Sequence, residues 1–276
     1  MKLQSVNTPV RGRRSKLLTA AVFVFLVTFV GFIVLLIVAD ALYINRNAVI
    51  EVLTAGFIRE ALWLSVWTSA ATTALSVIFA IPVGYALSRY HFWGRTVTDT
   101  VVDLPIVFPP LVAGLTLLVF FNQTAMGKWI EQDLGLKFVF QPKGIVLCQF
   151  VVSASYAIRV TKSAFDGIDR RVENVALLLG CTHWGSFFRV SLPLARNGII
   201  AGGILTWARA FGIFGPLMIF VGSFRGRTEV LSSTIFLEQS VGHLEVALAV
   251  ALLLIGVALV ALICIRLVGG SAMGQP

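Results

Sequence analysis

The sequence predicts an all-α integral membrane protein with six transmembrane helices, and three observations lead there. The 276 residues are 58% hydrophobic and only 13% charged, against roughly 45–50% and about 25% in a typical globular domain. Apolar runs long enough to cross a hydrocarbon core, about 20 residues at about 1.5 Å each, recur along the whole chain. Between them no polar stretch is long enough to form a separate enzyme domain. The chain therefore divides into a tail at 1–17, one membrane domain at 18–267 and a tail at 268–276, with no internal repeat or low-complexity linker.

The first span, near 18–40, follows a basic stretch and ends at Ala39-Asp40-Ala41, which loosely resembles a signal cleavage site. Signal cores are about 7–15 residues. The apolar run from Leu17 to Val38 is longer, so an uncleaved first helix is expected. A second span is placed near 62–88. The third, near 101–121, is interrupted early by Asp103-Leu104-Pro105-Ile106-Val107-Phe108-Pro109-Pro110. Proline removes a backbone donor and clashes with the preceding turn, and a broken helix in lipid persists only where protein or a water-filled cavity satisfies the freed groups. Pro109 and Pro110 are thus placed facing the bundle interior, with a plain packing kink as the alternative. Spans near 144–161, 198–221 and 245–265 complete the set.

A formal charge of +9 in a chain this apolar points to cationic loops held at an anionic leaflet rather than to nucleic acid. With the N-terminus inside, the cytoplasmic side receives Lys2, Arg11, Arg13, Arg14, Lys16, Arg89, Arg95, Arg159, Lys162, Arg170, Arg171, Arg189, Arg196 and Arg266. Arg46, Arg59, Lys128, Lys137, Lys143, Arg225 and Arg227 fall outside. Both termini are expected in the cytoplasm. Cys148, Cys181 and Cys264 lack metal-ligand or redox spacing and read as packing residues. His91, His183 and His243 are isolated in loops, so no metal site is expected. Loop carboxylates such as Glu229 and Glu238 are expected to be solvated.

The longest cytoplasmic loop, 162–197, carries the most information. Asp169 stands where an N-cap would, Glu173 falls in the first turns, where a carboxylate complements the positive helix end, and Gly180 can close a short helix in the left-handed conformation. Val175, Ala176, Leu178 and Leu179 give that helix an apolar face outside the bilayer. It must be covered by the protein's own helices or by a partner groove, and the residues alone leave both open.

This stretch resembles the cytoplasmic loop of permease subunits of bacterial ATP-binding-cassette (ABC) importers, whose signature is Glu-Ala-Ala, three residues, Gly, nine residues, Ile-x-Leu-Pro. Ala176, Leu179, Gly180, Val190, Leu192 and Pro193 match in register. Asn174 stands at the usual glutamate, with Glu173 just before it, and Val175 replaces the first alanine. The resemblance extends over most of 62–265 and implies a type I ABC importer permease bundle with a cytoplasmic coupling helix. It also implies that the loop, with Glu173, Asn174, Leu178 and Leu179, inserts into a cleft of a separate ATPase. No Gly-x4-Gly-Lys-Ser/Thr phosphate loop occurs in the chain. ATP and magnesium are accordingly expected on that partner, and no cofactor on this chain. The further implied partners are an external solute-binding protein, a second permease copy or related permease, and membrane lipid.

For the solute pathway the main candidate is Arg209, about twelve residues, or roughly 18 Å, into the fifth span. A guanidinium there would attract an anion; the alternative is a structural tie to a carboxylate such as Asp103. Arg209-Ala210-Phe211-Gly212-Ile213-Phe214-Gly215 resembles the Arg-Ala-Leu-Gly-Glu-Phe-Gly stretch of molybdate and sulfate permeases, with Ile213 at the glutamate position. Phe211 and Phe214 could form a constriction and Gly212 a hinge or a close helix approach. The resemblance implies an importer for an oxyanion such as molybdate, tungstate or sulfate. Permeases for ferric iron, thiamine, polyamine or phosphonate share the loop motif, and an ATP-independent secondary transporter or a non-transporting scaffold are the readings from other classes.

Overall fold

The computed structural model describes residues 14–270, with side chains over 18–264. Residues 1–13 of the expected N-terminal tail and 271–276 of the C-terminal tail lie outside the described residues. Among the described residues thirteen α-helices run in the order α1 Arg14–Tyr43, α2 Arg46–Thr54, α3 Gly56–Arg89, α4 Arg95–Val107, α5 Pro110–Gln123, α6 Ala125–Gln132, α7 Pro142–Asp166, α8 Arg170–Leu178, α9 His183–Ser186, α10 Leu192–Phe211, α11 Gly215–Phe220, α12 Leu231–Val241 and α13 Leu244–Gly270. A π-helical turn, Phe187–Ser191, joins α9 to α10. Pro193, at the start of α10, has no N–H to donate into that turn.

Among the described residues four helices, α1, α3, α7 and α13, are each long and apolar enough to cross a membrane. The third expected span is not one rod. Its two halves, α4 and α5, meet at 110° across Phe108-Pro109, because Pro110 begins a new helix with Pro109 as its extended cap. The fifth expected span also divides, between α10 and α11, at Gly212-Ile213-Phe214.

Three long helices, α3, α7 and α10, pack mutually at the centre. Close approach depends on absent side chains: a Cβ on Gly198 of α10 would lie 2.2 Å from Ala164 Cβ of α7. This is the small-residue packing that membrane helices use in place of a hydrophobic driving force. A buried polar seam runs along α3 through Ser65, Thr68, Ser69, Thr72 and Ser76, spaced so that they share one face. From it Thr72 Oγ1 donates to Gln149 Oε1 at 2.9 Å. Gln149 Nε2 in turn donates to Ala210 O at 3.0 Å, and Ser232 Oγ donates to Ile213 O at 2.6 Å. The carbonyls freed by the α10/α11 break are thus satisfied inside the protein, as a broken helix in lipid requires.

The helices at the sides differ in how much they bury. No part of the α1 span is buried within this chain, and its packing is against α13. Pro109 and Pro110 are exposed on this chain, so the bend does not face the interior of the chain's own bundle. About one turn beyond the bend α5 presses on α11, where a Cβ on Gly114 would lie 2.5 Å from Pro216 O. Cys148 is buried as expected, whereas Cys264 is exposed on α13.

Candidate functional site: the coupling helix and an exposed cationic face

The loop between α7 and α10 folds as its capping residues dictate. Asp169 accepts a hydrogen bond from Arg171 N at 2.9 Å to start α8. Gly180, at φ +90°, ends it: Gly180 N donates to Leu177 O and Cys181 N to Ala176 O, both at 3.0 Å. These are the paired bonds of a Schellman ending, which needs a residue tolerant of the left-handed region.

The apolar face anticipated for α8 splits in two. Ala176 is buried against the protein, whereas Leu178 and Leu179 are 87% and 81% exposed. Val175, Asn174 and Pro193 are exposed as well. Self-packing therefore accounts for Ala176 and leaves the two leucines uncovered. Glu173 turns inward and is an internal tie, not a docking contact. Its Oε1 accepts from Arg89 Nε and from Ser191 Oγ, each at 2.8 Å. Arg89 also donates to Ile168 O at 3.1 Å, and both partners of the ion pair are largely buried. The carboxylate thus ties α8 to the end of α3 and to the start of α10, so a push on α8 passes to two core helices. Tyr85, Phe165 and Phe187 pack edge-on behind this tie.

The second group of candidates lies on α7 and α10. Arg209 occupies the last turn of α10 and is exposed. Its guanidinium carbon sits 5.9 Å from the Tyr156 ring centroid, and no carboxylate pairs with it among the described residues. The tie to Asp103 does not form, because Arg159 of α7 takes that carboxylate and holds Asp99 at 3.1 Å as well. Tyr156 meets Arg209, and Arg159 lies three residues further on the same face of α7, a position the sequence did not single out. Its signal was muted because Arg159 read as one more cation at a span end. Phe211 is buried and stacked on Trp207 with centroids 5.0 Å apart, a core position rather than a constriction. Phe214 packs against Phe236 at 5.0 Å, and Gly212 is exposed at the helix break.

Between α11 and α12 the expectation of solvated carboxylates is reversed. Glu229 and Glu238 are both 3% exposed. Arg225 reaches Glu238, lies 3.8 Å from Glu229 and stacks over Phe57 at 4.2 Å. His243 is not isolated, since its Nδ1 is 2.9 Å from Glu238. Burial pushes the Glu229 carboxyl above its ordinary value, against the pull of Thr234 and Arg225. Among the described residues no group of three or more His, Cys, Asp or Glu side chains could hold a metal ion.

A helical membrane bundle with two interrupted spans, whose longest loop presents a helix locked to the core by a buried ion pair, has the build of a transport subunit. Residues 76–270 match the family described as binding-protein-dependent transport system inner membrane component, and the chain belongs to that family. It is 33% identical over 207 residues to the molybdenum transport system permease protein of Escherichia coli (strain K12), covering 73% of this chain and 90% of the relative. It is 38% identical over 205 residues to a probable molybdenum ABC transporter permease protein of Haloferax volcanii, covering 74% and 73%. Against a molybdate/tungstate transport system permease protein of Pyrococcus abyssi, identity is 29% over 256 residues, covering 92% and 96%. Among solved structures, a chain of a bacterial alginate ABC transporter superposes with a TM-score of 0.76 at 17% identity, covering 95% of this chain and 97% of the other. A chain of the MetNI methionine ABC transporter gives 0.57 at 16%, covering 79% and 97%. These structures share the fold.

Proposed function

We propose that this chain forms the solute pathway of an ATP-driven importer for a tetrahedral oxyanion of the molybdate or tungstate type. The observation that carries the reading is the set of relatives named for molybdenum or molybdate/tungstate transport, which align over 73–92% of the chain. The exposed Arg209 agrees with it, being a cation with no competing carboxylate among the described residues and therefore able to attract an anion. Two chains, as a homodimer or with a related permease, enclose the pathway. Leu178 and Leu179 of α8 enter a groove on a cytoplasmic ATPase that binds ATP and magnesium, and a solute-binding protein delivers the anion from outside. Closure of the ATPase pair pulls on α8, and the Arg89–Glu173–Ser191 tie transmits that pull to α3 and α10.

The test is co-purification followed by reconstitution. Wild type is expected to retain an ATPase chain that Leu178→Asp loses, since a charge has to be desolvated to enter an apolar groove. With that ATPase and the solute-binding protein in vesicles, labelled molybdate is expected to accumulate only with ATP. Accumulation driven by an ion gradient without any ATPase would establish a secondary transporter instead. Sulfate or another solute taken up in preference to molybdate would correct the substrate.

A further inference from the structure

Beside the base of the coupling helix, where α3 ends and α4 begins, an open cleft of about 510 Å³ is lined by Arg89 and by two further basic side chains, Arg95 and Arg170, that the transport reading does not use. Arg95 donates to Leu87 O at 2.6 Å and Arg170 to Ser88 O at 2.9 Å, while Arg89 holds Ile168 O and Glu173. Each backbone contact fixes one arm of a guanidinium, which has five donors in all. The arms of Arg95 and Arg170 have no carboxylate partner within ion-pair distance among the described residues. Of the two acids in the lining, Asp166 lies 3.5 Å from Lys162 and Asp169 caps α8. The cleft is therefore a fixed, partly unsatisfied cluster of donors with a cationic excess.

Its position selects the anion. The turn 90–94 joins a helix long and apolar enough to cross a membrane to the first half of the bent pair, so it lies just past the end of an apolar span. There it exposes Phe92 together with Tyr90 and a fully exposed Trp93, the last two being the amphipathic aromatics that settle at a membrane–water boundary. A basic cleft bordered by interfacial aromatics suits a ligand with a phosphate at one end and apolar chains at the other. We propose that this cleft binds the phosphate of an anionic phospholipid, with Arg95 and Arg170 on the phosphate oxygens and Phe92 and Trp93 against the glycerol and upper acyl region.

The experiment is native mass spectrometry of the full chain, released from micelles doped with equal amounts of phosphatidylglycerol and phosphatidylcholine. Wild type is expected to keep phosphatidylglycerol preferentially, and Arg95→Gln with Arg170→Gln to lower that retention by at least about tenfold. The control is Arg46→Gln with Arg59→Gln, which removes the same formal charge from exposed positions on other helices and is expected to leave retention unchanged. If the first variant is not monodisperse, Arg170→Gln alone carries the same test with a smaller loss. Equal retention of both lipids by wild type, or equal losses in the two variants, would overturn the proposal. So would displacement of phosphatidylglycerol by millimolar inorganic phosphate, which would make this a site for the free anion. Retention that falls only when the partner ATPase is bound would assign the cleft to the protein interface and overturn it equally.

Discussion

Arg209 and Glu229 show how differently two charged residues can be treated by one chain. Arg209 is exposed in the last turn of α10, with its guanidinium carbon 5.9 Å from the Tyr156 ring centroid, and in an apolar setting such a charge is costly unless it faces water or an anion. Arg209→Leu is expected to abolish anion uptake while leaving co-purification with the ATPase and the melting profile intact; unchanged uptake would make the residue structural. Glu229 is buried beside a shared cation. Its raised folded-state pKa means that the folded protein holds this proton more tightly than the unfolded chain. The corresponding stability is complete below the ordinary carboxylate pKa and is lost as pH rises through the raised value. The Tm of the detergent-solubilised protein is therefore expected to fall as pH rises above the ordinary carboxylate range, and Glu229→Gln to flatten that dependence. A slope identical in the two proteins would assign it to other groups. The arginine was legible as a candidate because a charge inside an apolar run stands out. Glu229 was not, since a loop carboxylate is buried or solvated according to what packs over it, and here that is Arg225 held on Phe57 of another helix.

Among the elements, α8 follows its sequence most closely. Its start at Asp169 and its close at Gly180 are local hydrogen-bond chemistry within a few residues, which is why both ends were readable. Gly180→Val puts a β-branched side chain at φ +90°, a strain on the order of 1–3 kcal/mol. The expected outcome is ATP hydrolysis that proceeds without matching uptake, and normal coupling would refute it. What holds α8 in place could not be read locally, because Arg89 and Glu173 are 84 residues apart. Removing one partner leaves the other as an uncompensated buried charge. Arg89→Ala is thus expected to cost on the order of 3–5 kcal/mol, seen as a lower Tm, and to loosen protease protection around α8 before the spans. The interrupted spans divide the same way. Pro109 and Pro110 marked the first break, whereas the second, at Gly212-Ile213-Phe214, depends on Gln149 and Ser232 accommodating carbonyls from other helices.

At the scale of the whole molecule, α3, α7 and α10 form the frame, and α8 hangs from it on one side. The charge distribution predicts an orientation: thiol labelling of single cysteines is expected to reach position 183 from the cytoplasm and position 227 from outside, and the reverse pattern would overturn the topology. With no part of the α1 span buried and the α4–α5 bend exposed, the surfaces that one chain leaves uncovered are those that lipid and a second permease chain would meet. The sequence by itself determined the membrane class, the long apolar segments, and the loop helix α8 with its two ends, because each depends on composition, run length or capping within a turn. Only the tertiary structure decided that Glu173 faces inward, that Phe211 is core, that Arg159 rather than Arg209 takes Asp103, and that Glu229 and Glu238 are buried. Each of these depends on a partner dozens of residues away or on another helix, and its position is fixed only when the helices have packed.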